Sequence, residues 1–175
     1  ARVIEEQSSL AATQAEYIYG NYIDEVLVMN RGGQFYYYHQ NALWSVAAIT
    51  DSLANVVERY AYDAYGCVTI TDGVNNPVPS NAWDTAHSAI DNPYMFTGRQ
   101  LDEETGLYYY RARYYDCVKG RFLQRDQLGY VDGINLYEYL NSNPLNNIDP
   151  LGLLSWQWTA RVQLWDIDTA AFILA

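Results

Sequence analysis

The amino-acid sequence predicts an all-β fold, on three observations. Tyrosine is abundant, 18 residues against 4 Phe; its ring favours strands and its hydroxyl wants a partner, so it suits half-buried sheet faces. Short runs of strand-forming residues follow one another, punctuated by turn signals. A turn unit also recurs. Asp102-Glu-Glu-Thr-Gly106 and Asp116-Cys-Val-Lys-Gly120 each lead into a strand, and Asp63-Ala-Tyr-Gly66 is a shorter version. Asp bonds its own backbone at a turn start and Gly supplies the positive φ that closes it. Each unit therefore reads as one hairpin step, and stacked steps make an extended repetitive sheet.

Taken in order, Arg2–Glu6 and Ala15–Tyr19 form a first hairpin across a polar turn. Glu25–Met29 is the next strand, followed by a turn signal at Asn30-Arg-Gly-Gly33. Gln34–His39 is a Tyr-rich strand and Ala47–Thr50 another. Asp51–Asn55 turns the chain into Val56–Tyr62, and Asp63–Gly66 turns it into Cys67–Thr71. Residues 72–92 break the pattern with Pro77, Pro79 and nearby Pro93 among Asn, Ser and Ala. Proline denies a ladder donor, so this stretch is expected to be a long loop, a surface insertion in the sheet. Strands resume at Leu107–Tyr110 and Arg121–Leu123 behind the two Asp-x-x-x-Gly turns. In the tail, Leu154, Trp156, Trp158, Ala160, Val162 and Leu164 alternate with polar residues. That period of two predicts a half-buried strand packed on the rest of the fold or on its contents.

The chain of 175 residues is long enough for one domain with a real core. Its net charge of −11 repels phosphate backbones and argues against nucleic-acid binding by this segment. No apolar run reaches the roughly 20 residues that span a bilayer, so no membrane span is expected. The opening Ala-Arg-Val-Ile, without initiator Met or signal peptide, reads as a piece of a longer or processed chain. Two cysteines, Cys67 and Cys117, either pair or stay free; sequence alone allows both. Nothing places His39 or His87 beside a cysteine or beside each other, so no metal site is expected. No cofactor or phosphate-binding motif is present, and no cofactor is expected. An isolated open sheet would expose its edges and self-associate through them.

Several ordered motifs carry a family resemblance. Glu58-Arg-Tyr-Ala-Tyr-Asp-Ala-Tyr-Gly66 is similar to the YD repeat. Tyr94-Met-Phe-Thr-Gly-Arg99, Glu104 to Asp116 (Glu-Thr-Gly-Leu-Tyr-Tyr-Tyr-Arg-Ala-Arg-Tyr-Tyr-Asp) and Gly120-Arg-Phe-Leu-Gln-Arg-Asp126 resemble the RHS repeat-associated core domain. So do Asn135-Leu-Tyr-Glu-Tyr139, Asn143-Pro144 and Asp149-Pro-Leu-Gly-Leu153. The resemblance divides the chain into a YD-repeat shell segment over 1–93, a core domain over 94–153, and the start of a variable segment over 154–175. Its family includes bacterial RHS toxins, the C subunits of Tc toxin complexes and, more distantly, teneurins. In the bacterial members the repeats wind into a hollow shell whose core-domain end plugs it and, in many, acts as an aspartyl autoprotease. The resemblance implies partners in the rest of the shell and in a C-terminal cargo, and a secreted or cell-surface location in bacteria.

By motif, the resemblance assigns catalytic roles to Asp126 and Asp149, and a cut between Leu153 and Leu154. Two nearby carboxylates do not both ionise cheaply, so one would keep a proton; the ionised one would deprotonate a water while the other polarises the scissile carbonyl. The reaction would be in cis and single-turnover. Arg125 is the expected supporting cation and Glu138 a lesser supporting acid. Both aspartates also have an ordinary reading: Asp126 as a cap before Leu128-Gly129, Asp149-Pro150 as a turn start. Two positions depart from the family pattern. Gln127 and Cys117 stand where it usually has proline, which frees φ and adds a backbone N–H. The sequence thus leaves two functions open, an autoprocessing shell that releases a toxic cargo and a non-catalytic YD-repeat scaffold for adhesion or recognition.

Overall fold

The computed structural model describes residues 3–10, 12–131, 133–153 and 156–157. The fold is all-β, with no helix beyond two single 3-10 turns at Phe96–Gly98 and Leu140–Ser142 among the described residues. Seven strands form an antiparallel meander in chain order: β1 (Glu5–Gln7), β2 (Thr13–Tyr19), β3 (Val26–Arg31), β4 (Gln34–Gln40), β5 (Val46–Thr50), β6 (Val56–Tyr62) and β7 (Val68–Asp72). A second sheet has the order β11-β10-β9-β8, built from β8 (Gln100–Asp102), β9 (Leu107–Tyr109), β10 (Tyr114–Asp116) and β11 (Arg121–Phe122). A two-stranded ribbon pairs β12 (Asn147–Ile148) with β13 (Trp156–Gln157). The remaining alternation of the tail lies outside the described residues.

Three hairpins of the meander and two turns after β7 share one local device. In the turns Asn41–Ser45, Asp51–Asn55, Asp63–Cys67, Asp72–Asn76 and Asn81–Thr85, the first residue's Oδ1 accepts N–H bonds from the third and fifth residues. Its own N–H donates to the fifth carbonyl, and its carbonyl accepts from the fourth N–H. The fourth residue lies at positive φ each time: Trp44, Ala54, Gly66, Asn75 and Asp84. This is an Asx turn that saturates the hairpin loop's own polar groups. Only one of the five uses glycine; from sequence Asp63–Gly66 and Asp51–Asn55 read as turns, and Asn41–Ser45 does not. Where Gly32 and Gly33 both take positive φ, the loop shrinks to two residues and β3 continues through Arg31, which pairs with Gln34.

One face of the meander packs against the rest of the chain. Tyr17, Met29, Tyr38, Ile49, Tyr60 and Ile70 are buried there, while alternate residues such as Ile18 and Phe35 stay exposed. The second sheet and the segments around it supply a facing cluster of Phe96, Tyr108, Tyr110, Tyr115, Phe122 and Tyr139, most of them edge-to-face or tilted at ring-centroid distances of 4.1 to 6.4 Å. Buried phenols need partners. Tyr108 donates to the Gly66 carbonyl, Tyr115 to that of Tyr65, and the Tyr110 hydroxyl sits between those of Thr97 and Tyr139.

The surface-insertion reading of 72–92 needs correction in its second half. Pro77 bridges back to Thr71, but Ser88 and Asn92 are fully buried. They close a polar network over the sheet: the Glu58 carboxylate accepts bonds from Tyr60, Ser88 Oγ and the Ala89 N–H. Asn92 in turn donates to Tyr60 and accepts from Tyr38. A buried carboxylate on a strand demands such donors, and the loop is what supplies them. The cysteines are paired: Cys67, at the turn before β7, is bonded to Cys117, after β10, stapling the meander to the second sheet across 50 residues.

Two stability outcomes follow from these turns and this staple. Ala54 at φ 63 carries a left-handed strain that glycine lacks. Ala54→Gly is expected to stabilise the fold by about 0.5–1 kcal/mol net of the chain-entropy penalty, raising the thermal midpoint by a few degrees in a melting scan. Reducing the Cys67–Cys117 bond opens a 50-residue loop; denaturant melts with and without reductant are expected to differ by about 2–4 kcal/mol.

Candidate active site

The structure brings the two motif aspartates to one guanidinium, and it is that of Arg113. Arg113 Nη1 lies 2.9 Å from Asp126 Oδ2, and Nη2 lies 3.6 Å from Asp149 Oδ2. Its Nε donates to the Gly152 carbonyl at 2.6 Å. The group stacks on the Phe122 ring, 3.7 Å from the centroid. The side chains of Arg113 and Asp149 are each 3% exposed and that of Asp126 7% exposed. Charges so far from water persist only when paired and hydrogen-bonded, and here one fork serves two carboxylates and a backbone carbonyl.

Each aspartate also shapes its own backbone. Asp126 follows β11 and accepts from the Leu128 N–H at 2.7 Å; its own N–H donates to the Leu136 carbonyl at 2.9 Å, and its carbonyl accepts from Gly129. None of these contacts uses Gln127. Asp149 Oδ1 gathers three amides, those of Leu151 at 3.3 Å, Gly152 at 2.7 Å and Leu153 at 3.0 Å. It thereby curls 149–153 into a turn that ends one bond short of Leu154. Gly152 is obligatory in that turn. Its φ is +71°, and a Cβ there would lie 2.2 Å from the Tyr110 carbonyl oxygen. The turn roles expected of both aspartates from composition are thus present alongside the shared arginine.

Two further arginines grip the same segment. Arg99 Nη2 donates to the Pro150 carbonyl at 2.9 Å and Arg111 Nη1 to that same oxygen. Both are held by Asp24, in the turn between β2 and β3, at 2.6 Å each. Arg99 also lies over the Tyr110 ring, 4.9 Å from its centroid. Burial lifts the Tyr110 and Tyr139 hydroxyls above the ordinary phenol range, so they remain protonated beneath the site.

The supporting residues fall elsewhere. Arg125 is solvent-exposed, and the cation between the carboxylates is Arg113. Glu138 is half-buried and accepts from Ser142 Oγ at 2.8 Å. It shares with Asp126, Asn135, Leu136 and Asn141 a cleft of about 10 Å3, the room that one water molecule needs. Leu153 is half-buried at the end of the Asp149 turn; Leu154 lies outside the described residues.

Comparison with known proteins places the chain in a family. No family model matches the chain. It is 40% identical over 146 residues to the tRNA3(Ser)-specific nuclease WapA of Bacillus spizizenii, covering 81% of this chain and 6% of that protein. It is 34% identical over 132 residues to toxin subunit YenC2 of Yersinia entomophaga, covering 68% of this chain and 13% of that one. Among solved structures it superposes on TcdB2-TccC3 with a TM-score of 0.62 at 28% identity, over 84% of this chain and 7% of that chain; a form without its hypervariable C-terminal region gives 0.60. The chain belongs to the RHS (YD-repeat) family. It spans no more than about an eighth of the length of these relatives.

Within this RHS segment, the cation beside Asp126 is not its sequence neighbour Arg125 but Arg113, and the sequence alone assigned no role to Arg99, Arg111, Arg113 or Asp24. A signal was present. Arg111 and Arg113 sit inside an aromatic run, in a chain with only 10 basic residues against 21 acidic ones. An arginine among buried rings must find a carboxylate. Removing the fork while keeping its bulk would take the shared cation from two buried carboxylates and leave them only their backbone amides. Arg113→Met is therefore expected to lower unfolding free energy by about 3–5 kcal/mol, read from denaturant melts, whereas Arg125→Met should stay within about 0.5 kcal/mol of the parent.

Proposed function

We propose that this segment closes an RHS shell and cuts its own chain between Leu153 and Leu154, freeing the C-terminal segment beyond. The observation that carries this reading is the joint seat of Asp126, Asp149 and the Gly152 carbonyl on Arg113, one residue ahead of the bond. Asp126 faces a cleft of one-water size and acts as the base. Asp149 holds the scissile segment in its turn and supplies the second carboxyl beside the reacting carbonyl. Arg113 is the adjacent cation where negative charge develops on the Leu153 carbonyl. Water oxygen bonds to the Leu153 carbonyl carbon and its proton passes to Asp126. The bond to the Leu154 nitrogen breaks as Asp126 hands that proton on to the leaving nitrogen, and the new Leu153 carboxyl group loses its own proton to solvent. The products are a Leu153 carboxylate and a Leu154 amine, after one turnover.

Relatives described as a nuclease and a toxin subunit support a toxic cargo as the released segment. A Cys67–Cys117 bond suits a secreted or cell-surface location. The rest of the shell and the cargo are the partners, with no nucleic acid bound by this acidic segment itself. A second reading, a non-catalytic adhesion or recognition scaffold, draws on one observation: three amides and Arg113 already occupy Asp149, enough to explain its burial as a structural turn.

The two readings separate by intact mass of the longest natural chain beside its Asp126→Asn and Asp149→Asn variants. Autoproteolysis predicts a product ending at Leu153 in the parent and uncut variants. A single uncut mass in a folded parent would reject it and leave the scaffold.

A further inference from the structure

Asp24 lies far from the Asp126–Asp149 pair in sequence and on the other part of the fold, in the turn joining β2 to β3 of the meander. Its side chain is 3% exposed. Oδ2 takes Arg99 and Oδ1 takes Arg111, each at 2.6 Å. Both guanidiniums then converge on one backbone oxygen, that of Pro150, and Arg99 also reaches the Asp149 carbonyl at 3.4 Å. The arrangement is tight on the backbone side too: a Cβ at Gly98 would lie 2.5 Å from the Asp24 carbonyl oxygen, so only glycine lets the 96–98 turn approach. Arg111 is held at φ 63, a conformation a non-glycine residue keeps only where its contacts over-determine it.

Here a single meander carboxylate orients two arginines onto the strand of backbone that leads to the proposed cut. We propose that Asp24 is a positioning residue for the cut. It clamps Pro150 through Arg99 and Arg111, so the 149–153 turn reaches its reactive geometry only when the core domain is seated on the meander. Cleavage is thereby coupled to closure: a chain whose shell end has not docked lacks the clamp and keeps its C-terminal segment attached. The purpose of the clamp rests on the autoproteolysis reading; the clamp itself does not.

The test uses the longest natural chain with Asp24→Asn and, separately, Arg111→Met, which leaves the Asp24–Arg99 pair in place. Two quantities are measured on oxidised protein: amide hydrogen exchange peptide by peptide, and the rate of appearance of the product ending at Leu153 across pH. Exchange in 149–153 is expected to quicken at least tenfold while β3 to β6 keep parental protection. Cleavage is expected to slow by about a hundredfold, the size of effect that a small misplacement of reacting groups produces, with the shape of the pH profile unchanged. Parental exchange in 149–153 would overturn the clamp, and so would loss of protection spread over the whole meander in both variants. Clamp-dependent exchange in a parent that never cuts would keep the clamp and reject the cutting reading instead.

Discussion

The fold turns on how an acidic chain uses its few arginines. With 21 acidic residues and 10 basic ones, most carboxylates can sit only at the surface or in turns. Asp51 and Asp72 show the turn solution: only half-buried, and held below the usual carboxylate range by hydrogen bonds from Asn55 and Asn76. Three aspartates are buried with arginine instead: Asp24, Asp126 and Asp149. Their three arginines, Arg99, Arg111 and Arg113, all reach the backbone of 149–152. Desolvating such a set is costly, and it persists only because every fork finds several acceptors at once. The 149–152 backbone is consequently held largely by charge, and the aromatic cluster beneath it provides the dry floor that makes those charges strong.

Two different devices join the parts of the molecule. The Cys67–Cys117 bond ties the far edge of the meander, near β7, to the second sheet. Asp24 ties the near side, between β2 and β3, to the arginines above the 149–153 turn. Between them runs the Glu58–Tyr60–Asn92–Tyr38 network, which brings residues 88–92 down onto the sheet. A meander otherwise held by hairpin contacts of short sequence separation thus acquires three long-range fastenings.

Much of the fold was legible because it is local. Hairpins declare themselves by alternating runs and Asp-Gly turns, and Val56–Tyr62 falls within the observed bounds of β6. The turn at Asn41–Ser45 was less legible, because the large Trp44 fills the positive-φ position where Asp51–Asn55, equally free of glycine, has the small Ala54. Asp126 and Asp149 were legible only through motif resemblance, since composition offers two ordinary turn aspartates, and the structure shows that they are turn aspartates as well. Arg113 was hidden by distance. A residue adjacent in sequence, Arg125, looked like the natural partner, but its side chain leaves the turn toward solvent, whereas Arg113 arrives from the next hairpin. The fate of 72–92 was hidden for a similar reason: Glu58 needs donors, and nothing local says which loop brings them.

Arg113 and the carboxylate that curls the 149–153 turn stabilise one another. A double-mutant cycle on unfolding free energy, with Arg113→Met, Asp149→Asn and the double variant, tests this mutual stabilisation most directly. A coupling of about 1–3 kcal/mol is expected, the double variant being less destabilised than the two single losses combined. Strict additivity of the two losses would show that the arginine and the aspartate do not act on one another, and would contradict it.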